Sequence, residues 1–499
     1  MSSYLYEIPT TGAISFSDFC YDQTASYVAE VADTTEARAN LRAALKEFKR
    51  AEDDERDYLK LVKVLDDYIP KLYGITVCVD SGDLTIRSEP IFSWRTTLSS
   101  NLFHTSPRLS LPSLPTEIAF TLLTYGFALS NLARAIVASL GIYETERAIS
   151  DTDRKAKDER LHFATTLLCK AAGVFEFIAK EVLSQWDSAR ERALAAGMSC
   201  PRPPDLSREV LIGLSKMALA DAQALAIRKH LSKAAFDSTL TPGPPLPKSH
   251  PSPALAAKLH LECVALYSSG RALAKTPGAS RPNLTSSSKS KFKLSLGRKD
   301  KDRDGEGSEM SLPREEAGED VSPELGRYLA DEIAYHNALA HKWLGVDAGE
   351  NGATSEGGRA VGFLVWAKKE LEELKSGGLG HGGVVGIGTT DRERVMREAR
   401  RARVQVELES VNVFLKGYKR MNDSLAFQPV PPQSDLQASV PTGRSAVTIR
   451  PYSQPTPAFG PGSVEYARKQ AEALELLDDS SNKEPVSSRP EYAGAGAYY

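Results

Sequence analysis

Several features that would define a function class are missing from this 499-residue sequence. Its five cysteines lie far apart and form no CxxC pair, which disfavours a disulfide scaffold and a zinc site. The longest apolar stretches fall short of the roughly 18 uninterrupted residues that a membrane-spanning helix needs. The opening segment MSSYLYEIPTTG lacks a basic patch followed by an apolar run, so we expect no secretory signal. The sequence therefore predicts a cytoplasmic protein with reduced thiols.

An excess of one charge is also missing. Sixty-two basic residues nearly balance 65 acidic residues, which gives a net charge of −3. The molecule as a whole therefore has no general attraction for nucleic acid, and none is expected as a partner.

Catalytic signatures are absent as well. The sequence contains no HExxH, GxSxG, Walker or kinase pattern. His336 and His341 are five residues apart, a spacing that places two ligands around a helix instead of side by side, while His230 and His260 stand alone. Trp343 and Trp366 occupy helix positions where core packing is the expected role. No catalytic, metal or cofactor site is predicted, and an enzyme is the weakest hypothesis.

Helical periodicity dominates what is present, and it predicts a mainly α fold built as an array of antiparallel helix pairs. In the segment 118–140, apolar residues recur at steps of three and four, which predicts a helix buried on one stripe. Pro70 predicts a kink or an end in the third helix. The predicted helices are 17–32, 35–50 (capped by Thr34), 54–74, 118–140, 153–187, 205–237, 252–275, 323–345, 358–375 and 391–423.

Three segments interrupt this helical pattern. ITVCV (75–79) and LTIRSEPIFSW (84–94) alternate apolar and polar residues around the turn DSGD, which predicts a small β-hairpin. Residues 99–116 contain prolines and predict a loop. The glycine-rich residues 376–390 include GGLGHGG, which lacks the GK[ST] ending of a phosphate-binding loop and is interpreted as a linker.

Residues 276–322 have too few apolar residues to fold and predict a disordered insertion. The insertion contains a basic run whose cations surround Phe292, Leu294 and Leu296. Such cations would attract an anionic membrane, so we hypothesise a membrane contact there, against the alternative of an inert insertion. The proposed membrane-contact residues are Lys289, Lys291, Lys293, Arg298 and Lys299. The arginine-rich stretch 391–403 mixes both charges and is interpreted as a solvated helix face.

A set of segments in fixed order resembles the BRO domain family. They are FSW (92–94), LARAIVAS (132–139), AAGVFEFI (171–178), LSKMALADAQALAIRK (214–229) and LAAKLHLECVAL (255–266). KWLGVDAGE (342–350), WAKKELEEL (366–374) and the proline-bearing strip FQPVPPQSDLQASVPTGR (427–444) are similar to the fungal pH-response regulators of that family. The resemblance covers nearly the whole chain.

This resemblance implies a boomerang-shaped domain over residues 1–445, with a tetratricopeptide-like helical core and the strip folded back along it. Residues 446–499 would form a flexible tail with a short helix at 463–477. The implied function is a non-catalytic adaptor in alkaline-pH signalling, recruited to the plasma-membrane cortex or to endosomes. There it would bind an ESCRT-III subunit and a membrane pH-sensing complex, and promote proteolytic activation of the PacC/Rim transcription factor. The alternative is a general helical-repeat adaptor in endosomal or multivesicular body trafficking without a pH role.

In other BRO domains a concave surface binds the C-terminal amphipathic helix of the polymer-forming ESCRT-III subunit. The corresponding helix here is 216–231, in which Ala226 stands where the family has an exposed aromatic residue. The smaller side chain would weaken the groove. Leu225, Ile227 and Leu231 equally fit ordinary core packing, and that alternative stays open. For Leu259, Leu266 and Tyr267, candidates for the other wall of the groove, core packing is the favoured role. The candidate partner-binding residues are Leu225, Ala226, Ile227, Leu231, Leu259, Leu266 and Tyr267.

Overall fold

The structure, a computed structural model, describes residues 4–23, 25–52, 55–99, 107–146, 149–240, 242–275, 321–377 and 391–481. Their contacts divide the chain into two compact units. Unit 1 comprises Met1–Gly12, Leu45–Val62 and Ile91–Tyr452, and unit 2 comprises Ala13–Ala44, Lys63–Pro90 and Ser453–Tyr499.

Helices dominate the described residues, and the strands form two small antiparallel sheets, β1–β2 and β3–β4, which confirms the mainly α class. The strands are β1 (Cys20–Asp22), β2 (Leu84–Ile86), β3 (Ile91–Arg95) and β4 (Arg108–Pro112). The helices are α1 (Val28–Arg50), α2 (Tyr58–Ser81), α3 (Leu114–Leu140), α4 (Asp151–Phe177), α5 (Leu183–Ala195), α6 (Arg208–Leu240), α7 (Pro253–Ala274), α8 (Pro323–Asn351), α9 (Gly357–Ser376), α10 (Asp391–Met421), α11 (Gln433–Ala438) and α12 (Val464–Ser481).

Unit 1 is a helical array in which each long helix packs against the next. The packing order is α3, α4, α6, α7, α8, α9 and α10. Helix α3 contacts α5 and strand β3 as well as α4, so it buries residues around most of its circumference. Small residues permit close approach: Gly213 of α6 lies against Gly270 of α7, where an added Cβ would sit 3.0 Å from the opposing carbonyl oxygen. The predicted array of paired helices is confirmed.

The proline-bearing strip, which the structure extends to residues 427–452, closes one surface of this array. Leu436 inserts into the core formed by α7 to α10 and is 3 % exposed. Farther along, the Arg444 amide donates to the carbonyl of Lys258 on α7 (2.9 Å), and the Arg450 amide donates to that of Cys169 on α4 (3.1 Å). The strip therefore crosses α9, α7, α6 and α4 in the reverse of their chain order.

Unit 2 has a smaller core of its own. Phe459, 7 % exposed, lies against Gly74 of α2, where any side chain would collide with its ring. The Ala458 amide donates to the carbonyl of Pro70 (3.0 Å). Residues 446–460, which the sequence analysis assigns to a tail, thus make ordered contacts, each within its own unit. Helix α12 overlaps the helix expected at 463–477.

The sequence-based boundaries in the N-terminal part of the chain are wrong in three respects. Thr34 does not begin a helix: it lies inside α1, and its hydroxyl donates to the carbonyl of Glu30 (2.7 Å), so it behaves as an ordinary mid-helix threonine. Residues 16–22 form a short 3₁₀ turn and strand β1 instead of a helix. Pro70 does not end its helix either, because α2 continues for eleven further residues to Ser81.

The position of the predicted hairpin is also wrong. Residues 75–79 are helical, because Leu72, Ile75 and Cys78 recur at helical spacing and are all 1 % exposed or less. Burial therefore outweighs the β preference of their branched neighbours. Strand β2 pairs with β1, and β3 pairs with β4, which lies inside the segment predicted as a loop.

Among the residues that the structure describes, three helical stretches have the length and composition that would suffice to cross a membrane. Their most apolar windows are 78 %, 67 % and 83 % buried inside the protein, so their apolar surface is used in packing. They are Leu114–Thr145, Asp151–Ala195 and Arg208–Ser232.

Candidate partner-binding surface

The candidate surface lies on α6 and α7, in the middle of the unit 1 array. Because α6 packs against both α4 and α7, it exposes only a narrow stripe of its surface. Leu225 and Ile227 are 4 % and 2 % exposed, whereas Ala226 and Leu231 are half-buried. On α7, Leu259, Leu266 and Tyr267 are buried. Only Ala226 and Leu231 offer appreciable surface to a partner, and the partner-binding role of the seven residues stays a prediction.

Gln223 of α6 holds the strip beside this surface. Its side-chain amide donates to the carbonyl of Arg444 (2.9 Å), and its side-chain oxygen accepts from the amide of Ala446 (2.8 Å). The same nitrogen also reaches the carbonyl of Leu259 on α7 (3.3 Å). One buried amide thus satisfies backbone groups of two segments, which fixes the strip on the α6–α7 seam. The sequence alone did not reveal this residue.

Beneath the candidate surface lies a buried cluster of hydroxyl and carboxyl groups. The hydroxyls of Tyr267 and Tyr328 both donate to Oδ1 of Asp221, at 2.5 and 2.9 Å. Burial raises the pKa of Asp221 to about 7, although the two tyrosine hydrogen bonds oppose this rise. A small pocket opens between this cluster and Leu225.

Two charged pairs continue the cluster toward α10, and they correct the interpretation of residues 391–403 as a solvated face. Arg403 forms an ion pair with Glu332 of α8, with the two side chains 13 % and 3 % exposed. Arg400 pairs with Asp331 and is 18 % exposed. Both arginines therefore connect α10 to α8. A mixed-charge sequence did not distinguish this buried side of the helix from its exposed side.

A pair of histidines completes the cluster, so His260 does not stand alone. Nδ1 of His260 lies 2.9 Å from Nδ1 of His336, and one ring donates to the other. Burial lowers the pKa of His260 to about 3 and that of His336 well below its usual value. Both rings are therefore neutral near pH 7 and act as packed, hydrogen-bonded core residues.

The remaining candidates have packing roles. Trp343 is 7 % exposed in the core of α7 to α10. Trp366 stacks on His341 with ring centroids 3.7 Å apart, and Nδ1 of His341 lies 2.8 Å from a carboxylate oxygen of Glu370. His230 is exposed at the end of the segment 216–231. Within the residues that the structure describes, no group of three or more His, Cys, Asp or Glu side chains is arranged to hold a metal ion.

The proposed membrane-contact residues lie outside the described residues. This applies to Lys289, Lys291, Lys293, Arg298 and Lys299, and to most of the glycine-rich segment 376–390. Of the predicted insertion, only its last two residues are described: Val321 bridges Ser99, and the Ser322 hydroxyl caps α8 by accepting from the amide of Glu324 (3.3 Å).

Comparisons with known proteins agree with this architecture. Residues 18–472 match the family model of the BRO1-like domain. The chain is 36 % identical to the pH-response regulator protein palC of Cryptococcus neoformans var. neoformans serotype D (strain B-3501A) over a 521-residue alignment that covers all of both chains. It is 26 % identical to the protein of the same name from Yarrowia lipolytica (strain CLIB 122 / E 150), covering 100 % of this chain and 99 % of the relative.

Two solved structures share the fold. The structure titled "ALIX BRO1 CHMP4C complex" superposes with a TM-score of 0.55 at 17 % identity, covering 92 % of this chain and 97 % of that chain. The structure titled "Crystal Structure of ALIX in complex with the SIVmac239 PYKEVTEDL Late Domain" superposes with a TM-score of 0.54 at 16 % identity, covering 96 % of this chain and 55 % of that chain. At these identities the likeness concerns the fold alone. Together, the helical array, the docked strip and the full-length sequence match establish that the chain belongs to the BRO1-like domain family, alongside the fungal pH-response regulators palC.

Proposed function

We propose that this protein is a non-catalytic adaptor in ambient alkaline-pH signalling. The observation that carries the proposal is the full-length, 36 % identical match to a pH-response regulator, on a chain whose described part is a packed helical array. The titratable groups of that array form structural pairs, as Asp221 does with two tyrosines. Such a scaffold binds partners on its surface and leaves chemistry to other proteins.

The proposed partner is the C-terminal amphipathic helix of an ESCRT-III subunit. Support comes from the similar fold of a BRO1 domain whose structure title names a complex with CHMP4C. An amphipathic helix binds through apolar residues spaced three and four apart, which need an apolar surface to cover. Here that surface would centre on the half-buried Ala226 and Leu231, beside the strip. At the plasma-membrane cortex or at endosomes, the adaptor would bind both this subunit and a membrane pH-sensing complex. Binding would help assemble the machinery that leads to proteolytic activation of the PacC/Rim transcription factor.

The direct test is a pull-down with the isolated ESCRT-III C-terminal helix. Leu225 and Ile227 are unsuitable for mutation, because a buried aspartate would unfold the array. Ala226→Asp combined with Leu231→Asp places charges at the accessible positions and should reduce binding at least tenfold. Val406→Asp, on an exposed position of α10, is the matched control and should bind normally. Absence of binding by the wild-type protein, or undiminished binding by the double variant, would reject this surface.

An experiment in cells distinguishes this proposal from the alternative, a trafficking adaptor without a pH role. In a Cryptococcus neoformans strain that lacks its palC relative, this chain should restore growth at alkaline pH. A trafficking adaptor would leave alkaline growth defective. The Ala226→Asp/Leu231→Asp variant, tested in the same strain, would show whether the proposed helix-binding surface is needed for that rescue.

A further inference from the structure

The end of α10 presents a cluster of exposed apolar side chains. Leu425 is 69 % exposed and Phe427 is 74 % exposed, and they are flanked by Met421 (47 %) and Val430 (52 %). We call residues 421–430 the Phe427 corner. Single exposed apolar residues are common on proteins, but four within ten residues form a patch that calls for an explanation.

The Phe427 corner is held in a fixed shape. Phe427 has φ 50° and ψ 31°, the left-handed conformation that aromatic residues rarely adopt. Asn422, 6 % exposed, holds it: its carbonyl accepts from the Phe427 amide (2.7 Å), its Oδ1 accepts from the Gln428 amide (3.1 Å), and its Nδ2 donates to the Gln428 carbonyl (2.9 Å). The hydrogen bonds of Asn422 thus stabilise an unfavourable backbone conformation at Phe427, and they fix the position of its exposed ring.

Two adjacent glycines of α9 are part of this arrangement. A Cβ at Gly358 would overlap the carbonyl oxygen of Pro429, and a Cβ at Gly357 would lie 2.5 Å from Oδ1 of Asn422. The backbone of the Phe427 corner therefore rests directly on the start of α9. This support leaves the side chains of Leu425 and Phe427 facing solvent while their backbone is fixed.

The last turns of α10, which lead into the Phe427 corner, carry exposed basic residues. Lys416, Lys419 and Arg420 are exposed in the last turns of α10, and none of them forms an ion pair with another residue that the structure describes. Between residues 416 and 430 the only acidic residue is Asp423. Exposed apolar side chains beside cations that form no ion pair with a described residue are suited to binding an anionic lipid bilayer, whose interior is apolar and whose headgroups are negatively charged.

We propose that the Phe427 corner inserts into an anionic lipid surface. Phe427 and Leu425 would enter the boundary between headgroups and acyl chains, and the three cations would contact anionic headgroups. A bound peptide helix would need a groove with apolar walls. Two side chains that are more than two-thirds exposed stand out from the surface instead of lining such a groove. This proposal is independent of the helix-binding surface on α6 and α7.

The test uses the full-length protein and vesicles of phosphatidylcholine, with and without phosphatidylserine. Phe427→Asn removes the ring but retains a residue that tolerates the left-handed backbone, so folding is preserved. Together with Leu425→Ser it should weaken binding to the phosphatidylserine vesicles by about tenfold or more. Phe163→Gln changes another exposed aromatic residue of unit 1 and should leave binding unchanged.

A second readout excludes effects from the basic run at 288–301. Phe427→Trp adds a fifth tryptophan to the four of the chain, so the readout is the difference between the emission of the variant and that of the wild-type protein. This difference emission should shift to shorter wavelength when phosphatidylserine vesicles are added, because the new ring enters an apolar environment. Lys416→Glu/Lys419→Glu/Arg420→Glu should abolish that shift. Unaltered emission of the tryptophan variant, or wild-type vesicle binding by Phe427→Asn/Leu425→Ser, would overturn the proposal. If Phe427→Asn/Leu425→Ser lost binding to a protein partner but still bound vesicles, the lipid proposal would also be overturned. The Phe427 corner would then be a protein-binding site.

Discussion

At the scale of single residues, the ionisable groups in the core of unit 1 make its stability depend on pH in two directions. Asp221 is a carboxyl group whose neutral form is favoured by burial, and His260 is an imidazole whose neutral form is favoured by burial. Neutral histidine requires a pH that is not too acidic, and neutral aspartic acid requires a pH that is not too alkaline. The core is therefore most stable at pH values above the folded-state pKa of His260 and below that of Asp221.

For Asp221, the folded-state pKa of about 7 exceeds the ordinary value of 3.8. Its protonated form therefore stabilises the fold fully below about pH 4, and this contribution is lost as pH rises toward 7. Asp221→Asn keeps an oxygen acceptor for Tyr267 and Tyr328 but does not ionise. Urea unfolding should show the variant gaining stability relative to wild type, by on the order of a few kcal/mol, between about pH 4 and pH 8. Parallel pH profiles for the two proteins would contradict the assignment.

For His260, the folded-state pKa of about 3 lies below the ordinary value of 6.5. The stabilising contribution is therefore present above about pH 6.5 and is lost as pH falls toward 3. His260→Gln should be less stable at neutral pH, because the contact with His336 is lost, but its stability should fall less steeply on acidification. His230→Gln, at an exposed position, should keep the wild-type slope. The measurement is the urea midpoint as a function of pH.

At the scale of elements, close backbone contact explains why the strip docks where it does. A Cβ at Gly173 of α4 would overlap the carbonyl oxygen of Arg450, so only glycine permits this crossing. Farther back, Gly443 passes over α7, where a Cβ would lie 2.7 Å from the amide nitrogen of Glu262. The strip is thus positioned by absent side chains as well as by the two hydrogen bonds of Gln223.

Gly173→Ala should consequently detach the strip from α4 and destabilise unit 1 by several kcal/mol, in the range of a severe core defect. Gly326→Ala is the matched control, because it lies in a helix with open space around its Cα. That change should be neutral or stabilise by about 0.5–1 kcal/mol, since alanine favours helix. Thermal unfolding and proteolysis within residues 444–452 would measure both effects. Equal behaviour of the two variants would contradict the role of Gly173.

Helices are also the scale at which the sequence was most informative. The periodic segments that became α3, α6 and α7 were predicted to within a few residues, because burial on a repeating stripe is encoded locally. The wrong predictions rest on local sequence preferences that tertiary contacts outweigh. Thr34 is a residue type that often caps helices, but it lies in the middle of α1. The branched residues at 75–79 are helical because this face of α2 is buried.

The candidate surface was less predictable for a physical reason. The helix at 216–231 was placed correctly, but which of its residues face solvent depends on neighbours far away in sequence. Gln223 binds residues more than 220 positions later, and Arg403 pairs with a glutamate 71 positions earlier. No local pattern encodes such pairings. The same holds for Phe427, whose exposure depends on contacts with α9.

At the scale of the whole molecule, the strip is a structural part of unit 1. Replacing residues 439–452 with a Gly/Ser segment of equal length removes the contacts to α7, α6 and α4 together. The melting temperature should fall by several degrees, and protease cleavage should increase within α6 and α7. An unchanged melting temperature would show that the helical array is complete without the strip.

The reverse path of the strip has a consequence for biosynthesis. The helices of the array leave the ribosome in order, but the segment that binds across them is made only after residue 426. Until then, the side chain of Gln223 lacks its hydrogen bonds to Arg444 and Ala446. A nascent or prematurely terminated chain therefore exposes surface of α4, α6 and α7 that residues 427–452 cover in the full-length protein.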